Sequence, residues 1–211
     1  MSEVNFAEAR RAMVTSQLRT SDVNDSAVVA AMLHLAREEF LPQNLRGGAY
    51  IDRPLPLGNG RAINPPLATG RILEEAQIVA GEKVLLAGDA TGYTAALLDI
   101  LGANVTVVDG NARPDTVPAS VNWVQGKAGE GHAAGAPYDV IVIDGAVDAL
   151  PDALLAQLAE GGRVVTGLND RGVVRLVTGR KVADSIGFLR VIDMDMVPAA
   201  GFEAKAAEFS F

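Results

Sequence analysis

The chain is 211 residues long, has no cysteine, and carries 18 basic against 26 acidic residues for a formal net charge of −8. That composition excludes disulfides, thiolate metal sites and a cysteine nucleophile, and it disfavours a nucleic-acid scaffold because no basic stripe is present to neutralise phosphates. Apolar residues make up 49% and aromatics 5%, so the core is aliphatic and suits a sheet covered on both faces.

No apolar run approaches the roughly 18 residues of a membrane span. The first residues, MSEVNFAEARRAM, are charged and amphipathic without a secretory core. The expectation is one α/β unit in the cytoplasm, with no membrane and no nucleic-acid partner.

In chain order, residues 5–17 and 25–35 predict two helices, with Phe6, Ala9, Met13 and Gln17 near a 3.6-residue period in the first. The second opens at Asn24 or Asp25 as N-cap. Residues 42–66 hold five prolines, four glycines and an Asn59–Gly60 turn, which predicts an extended loop anchored by Tyr50, Ile51, Leu55, Leu57 and Ile63. Asn64 ahead of Pro65 and Pro66 reads as a helix entry, with the helix running to about residue 79.

Beyond it, strands and helices alternate. Strands are expected at 83–87, 104–108, 121–124, 138–143 and 163–166, and helices at 93–101 and 153–158. Short connections imply right-handed crossovers and a doubly wound, mostly parallel sheet. Residues 173–178 and 188–196 are two β-like runs in succession, expected as an antiparallel pair at one edge.

The segment KVLLAGDATGYTAALL joins a strand to a helix through a glycine turn, where backbone N–H groups are free to meet a nucleotide-like ligand. Dinucleotide turns need small residues at the first, third and sixth positions; here these are Gly88, Ala90 and Tyr93, and a tyrosine prevents close helix–strand approach. The first, third and fifth positions hold Gly88, Ala90 and Gly92, the spacing of S-adenosylmethionine (SAM) turns. Asp109 stands 21 positions after Gly88, ending the next strand, where a carboxylate accepts from ribose hydroxyls. Asp144 ends the DVIVI strand and either faces the site or caps the following turn. His34 and His132 read as structural or loop residues, and two distant histidines without cysteine make a transition-metal site improbable.

Several motifs in order resemble the protein-L-isoaspartate O-methyltransferases over nearly the whole length. They are MVTSQLR (13–19), AMLHLAREEFLP (31–42), AYIDRPLPLGNGRAINPP (49–66), the glycine turn, and PYDVIVIDGAVDALPDALLAQLAEGGRVV (137–165). The resemblance implies a Rossmann-like SAM-methyltransferase fold, with residues 1–66 as a helical subdomain and substrate-side loop and 67–211 as the α/β domain, together one compact unit. It implies SAM as cofactor, held by Gly88, Asp89, Ala90, Thr91, Gly92 and Tyr93, by Asp109 and Gly110 at the ribose, and by Lys127 and Ala128 at the adenine. An isoaspartyl protein or peptide would be the substrate, with Asn64 at the position of the family's serine beside the isoaspartyl carboxyl.

This sequence departs from the family pattern in three places. Leu86 and Ala87 replace the carboxylate that precedes the turn, Ala90 replaces its middle glycine, and Lys127 replaces the adenine-binding acid, although lysine only donates. Asp89 is a candidate substitute for the missing carboxylate. Asn64 has two readings, a donor to the substrate carboxylate or a helix cap. Two functions follow: a methyltransferase of this lineage, or a relative that has lost catalysis and serves as a binding module.

Overall fold

A computed structural model describes residues 5–183 and 185–202. Helix α1 (Phe6–Met13) starts at Asn5, whose side chain accepts from the Glu8 N–H, and continues as a wider turn over Val14–Leu18. Helix α2 (Ser26–His34) starts at Asp25, which caps the Ala27 and Val28 N–H groups at 2.8 and 3.0 Å. The proline-rich stretch is not wholly irregular. It contains an antiparallel hairpin, β1 (Leu55–Gly58) and β2 (Arg61–Ile63), turning at Asn59–Gly60 with both residues at positive φ.

Helix α3 (Pro66–Ala76) begins one residue later than expected, with Pro65 rather than Asn64 at its cap. It ends early because Gln77 turns left-handed. Then follow β3 (Lys83–Ala87), α4 (Tyr93–Ile100), β4 (Asn104–Asp109), β5 (Asn122–Gln125) and β6 (Tyr138–Val147). The chain closes with α5 (Asp152–Leu155), β7 (Leu158–Asp170), β8 (Val173–Val182) and β9 (Ser185–Asp193).

One seven-stranded sheet runs in the order β5–β4–β3–β6–β7–β8–β9. Its first five strands are parallel, and β8 is antiparallel to both neighbours. The expected α/β architecture with an antiparallel edge pair is therefore present.

Alternation along the strands explains why both faces bury. Val84, Leu86, Val140 and Val142 share one cluster with Met13, Leu18, Met32, Ile72 and Leu97, so the N-terminal helices pack into the same core as α3 and α4. Leu85, Ala87, Ile141 and Ile143 face the other way, onto Leu154, Leu158 and Tyr138. Among the described residues no helix is long and apolar enough to cross a membrane.

After β3 the chain goes to β4 on one side and later returns to β6 on the other. The carboxyl ends of β3, β4 and β6 thus frame the topological switch point, where open α/β sheets form their crevice.

Candidate cofactor and substrate site

The glycine turn is built by backbone constraint. Gly88 has φ +76° and donates its N–H to the Val108 carbonyl at 2.9 Å, which locks the end of β3 to β4. A Cβ on Gly88 would lie 3.0 Å from the Ala200 carbonyl, so the C-terminal segment lies against the turn. Gly92 has φ +84°, and a Cβ there would come within 2.3 Å of Val117. Ala90 lines a cleft of about 290 Å³ together with Phe40, Leu41, Leu57, Thr91 and Pro114.

Asp89, the candidate substitute for the cofactor-side acid, is engaged by the chain's own backbone. Its carboxylate turns inward and accepts from the Thr91, Gly92 and Ala95 N–H groups at 3.1, 2.7 and 2.9 Å. It thereby satisfies donors that the start of α4 leaves free. Burial, then the nearby Asp144 charge, pushes its carboxyl up to about 7, against the pull of those three N–H groups.

Asp109 ends β4 and is 1% exposed. It accepts from the Asp89 and Asn111 N–H groups at 3.1 and 2.8 Å. Arg61, from the start of β2, also reaches it: Nη1 lies 3.0 Å from Oδ1 and Nη2 lies 2.7 Å from Oδ2. Nη2 further donates to the Asp89 carbonyl at 3.3 Å. Sequence reasoning missed Arg61. The Asn59–Gly60 turn signals a hairpin at this point, but not where the Arg61 side chain goes.

Asn64 and Thr94 converge on Asp144. Asn64 donates from Nδ2 to Asp144 Oδ1 at 2.9 Å, and Thr94 donates from Oγ1 to Oδ2 at 2.9 Å. Asn64 Oδ1 accepts from the Val197 N–H, and its carbonyl accepts from Arg37 Nη2. So Asn64 ties β6 to the C-terminal segment, and its side chain caps no helix.

Asp144 follows the last β3–β6 pair, Ala87 with Ile143. Its side chain meets Asn64 and Thr94, and since β6 continues to Val147 there is no turn there for it to cap. Burial raises its carboxyl above the usual range, opposed by Asn64, Thr94 and the Arg37 charge. Arg37 is fully buried, with its guanidinium 4.9 Å from the centre of the Tyr93 ring.

The remaining expected residues divide. Ala128 is buried, and a Cβ on Gly201 would lie 3.2 Å from its methyl. Gly110 is exposed at the rim, where its carbonyl accepts from Gln125. Lys127 is aimed at solvent: its side chain is 79% exposed and its ammonium lies 3.0 Å from Glu130. Neither His34 nor His132 bonds to the turn among the described residues. His34 gives its carbonyl to Arg10, and the His132 N–H donates to Gln157.

A family model described as protein-L-isoaspartate(D-aspartate) O-methyltransferase matches residues 8–203. The chain belongs to the protein-L-isoaspartate O-methyltransferase family. It is 37% identical over 205 residues to the protein-L-isoaspartate O-methyltransferase of Koribacter versatilis, covering 93% of this chain and 92% of that one. It is 36% identical to protein-L-isoaspartate O-methyltransferase 1 of Rhodopseudomonas palustris, covering 96% and 87%.

Two solved structures share the fold. A protein-L-isoaspartate O-methyltransferase superposes with a TM-score of 0.76 at 24% identity, covering 91% of this chain and 66% of the other. A protein from Plasmodium falciparum, described as a putative protein-L-isoaspartate O-methyltransferase in complex with S-adenosyl-L-homocysteine, gives 0.75 at 15% identity, covering 94% and 100%. In this chain the turn follows the carboxyl end of β3, and Asp109 ends β4 beside it. Asn64 Nδ2 and Asp144 Oδ1 face one another at 2.9 Å.

Proposed function

We propose that this chain is a SAM-dependent O-methyltransferase acting on the stray carboxyl of isoaspartyl residues in damaged proteins. A cytoplasmic location, where proteins age after synthesis, belongs to this reading. One observation carries it: the Asp109 carboxylate, beside the Gly88 turn, holds two adjacent donors at 3.0 and 2.7 Å. Two neighbouring donors are what the hydroxyls of a ribose offer, so the residues fit such a cofactor at its sugar.

The amine end is less well served. Leu86 and Ala87 are fully buried and apolar, and Asp89 is committed to α4. A missing charged partner of that kind costs about 1–3 kcal/mol, which implies weaker binding than in a site that keeps the acid.

When bound, SAM supplies a methyl group on a sulfonium that departs as a neutral thioether. The acceptor oxygen is already an anion, so the chain needs to orient and desolvate rather than to deprotonate. Asp109 anchors the cofactor side. Asn64 and Thr94 are the side-chain donors on the substrate side, and the buried Arg37 contributes positive potential there. Gly88 and Gly92 let backbone approach closely.

A second reading is favoured by the Asn64–Asp144 bond. The donor aligned with the family's serine is already engaged by a resident carboxylate, which suits a methyltransferase of this lineage with a different acceptor.

The test is methyl transfer from labelled SAM to an isoaspartyl peptide and to its aspartyl twin. Transfer to the isoaspartyl peptide alone supports the first reading. Binding of S-adenosylhomocysteine (SAH) without transfer to either peptide favours the second. Absence of both binding and transfer at millimolar ligand contradicts both readings.

A further inference from the structure

Asp109 has no acceptor capacity to spare. An ionised carboxylate offers about four lone-pair positions, and four donors reach it: the Asp89 N–H, the Asn111 N–H and two prongs of Arg61. The backbone donors are fixed by the turn and by the end of β4. Arg61 is not fixed in that way. It sits at the edge of a two-stranded hairpin whose bend, Gly58–Asn59–Gly60, has three consecutive residues at positive φ. Its side chain is 17% exposed, so it has an edge open to water.

We propose that Arg61 is a built-in competitor for the cofactor, occupying on Asp109 the place of the ribose hydroxyls, so that the β1–β2 hairpin must release it before the site fills. The inference rests on the SAM reading given above. The guanidinium presents two parallel N–H donors to one carboxylate, the pattern a vicinal diol makes, and does so with a full positive charge. The C-terminal segment also packs against the turn and against Ala128: the Ala200 carbonyl lies against Gly88, and Gly201 lies against Ala128.

The apparent affinity for cofactor is then the intrinsic affinity multiplied by the fraction of molecules with Arg61 released. A charge-assisted pair of this kind keeps that fraction at roughly one in ten to one in a hundred. Because Arg61 stands three residues before Asn64, release of the hairpin also reaches the substrate side.

Calorimetric titration of SAH into the full chain tests this with Arg61→Ala, Arg61→Gln and Arg61→Lys. Removing the guanidinium should tighten SAH binding by roughly 10- to 100-fold. Lysine keeps the charge but lacks the two-pronged fork, so Arg61→Lys should fall between wild type and alanine. Arg61→Gln, which keeps most of the side chain's bulk, guards against loss of the fold in the alanine variant. If wild type binds SAH and neither Arg61→Ala nor Arg61→Gln binds more tightly, the competitor role is overturned while the SAM reading stands. If no variant binds SAH at millimolar concentration, the SAM reading fails and the competitor role with it.

Discussion

Asn64 and Asp144 are hydrogen-bonded at 2.9 Å although 80 positions separate them in the chain. The amide that the family resemblance assigns to the substrate carboxyl therefore already serves a carboxylate of the protein itself. An incoming isoaspartyl carboxylate must share or displace it, and like charges side by side oppose binding.

Replacing Asp144 with Asn removes that charge while keeping the side chain's shape. The Michaelis constant for an isoaspartyl peptide should fall by about tenfold, the equivalent of roughly 1.4 kcal/mol. Steady-state methylation kinetics measure it, and an unchanged or raised constant would show that Asp144 does not oppose the substrate.

Asp89 and Asp144 make stability depend on pH. Both carboxyls are raised by burial, Asp89 from 3.8 to about 7 with help from the Asp144 charge. An acid raised in the folded state holds its proton more tightly there than when unfolded. Its contribution is complete below the unfolded value and is lost as pH rises through the folded one. Stability should accordingly decline from about pH 4 to about pH 7, by at most ~1.4 kcal/mol per pH unit for each such group. Asp144→Asn should flatten the decline, as thermal melts across this range would reveal. A wild-type profile that rises over the same window would be incompatible with carboxyls raised in the folded state.

Asp89→Ala leaves three N–H groups at the start of α4 without their acceptor. The cost should be about 1–3 kcal/mol, seen as a drop of several degrees in Tm. Asp89→Asn keeps one acceptor oxygen and should lose less. Equal melting of wild type and the alanine variant would remove the capping role.

Arg37→Met withdraws a buried positive charge from beside Asp144, Asn64 and Tyr93. Stranding a buried partner costs about 3–5 kcal/mol, on the order of 10 °C in Tm for a chain of this length. Adding Asp144→Asn should restore part of the loss, and a double-mutant cycle on chemical denaturation reads the coupling. Strict additivity would mean the two groups do not interact.

Much of the fold was legible in the chain because its signals are local. The KVLLA and DVIVI runs, the glycine turn and the alternation of elements each lie within one short window, and they fix the parallel sheet and its switch point. Asp109 was legible for the same reason, as the acid that ends the second strand.

The contacts that close the site were not legible. Arg61 meets Asp109 across 48 positions, and the register of a small hairpin decides where its side chain points. At Asp89 the sequence offers a second use beside a site role, since an aspartate just before a helix commonly serves the free N–H groups. The same preference misled at Asn64, where the prolines took the cap and released the amide toward Asp144.

The most direct measurement is calorimetric titration of SAH into Arg61→Ala and into the double variant Arg61→Ala/Asp109→Asn, where no arginine competes for the site. Asparagine keeps the shape of the side chain but loses the charge and one acceptor oxygen. Arg61→Ala should bind, and the double variant should bind at least tenfold more weakly, because release of the arginine no longer offsets the lost acceptor. Equal affinity in the two proteins would contradict a cofactor site built on Asp109.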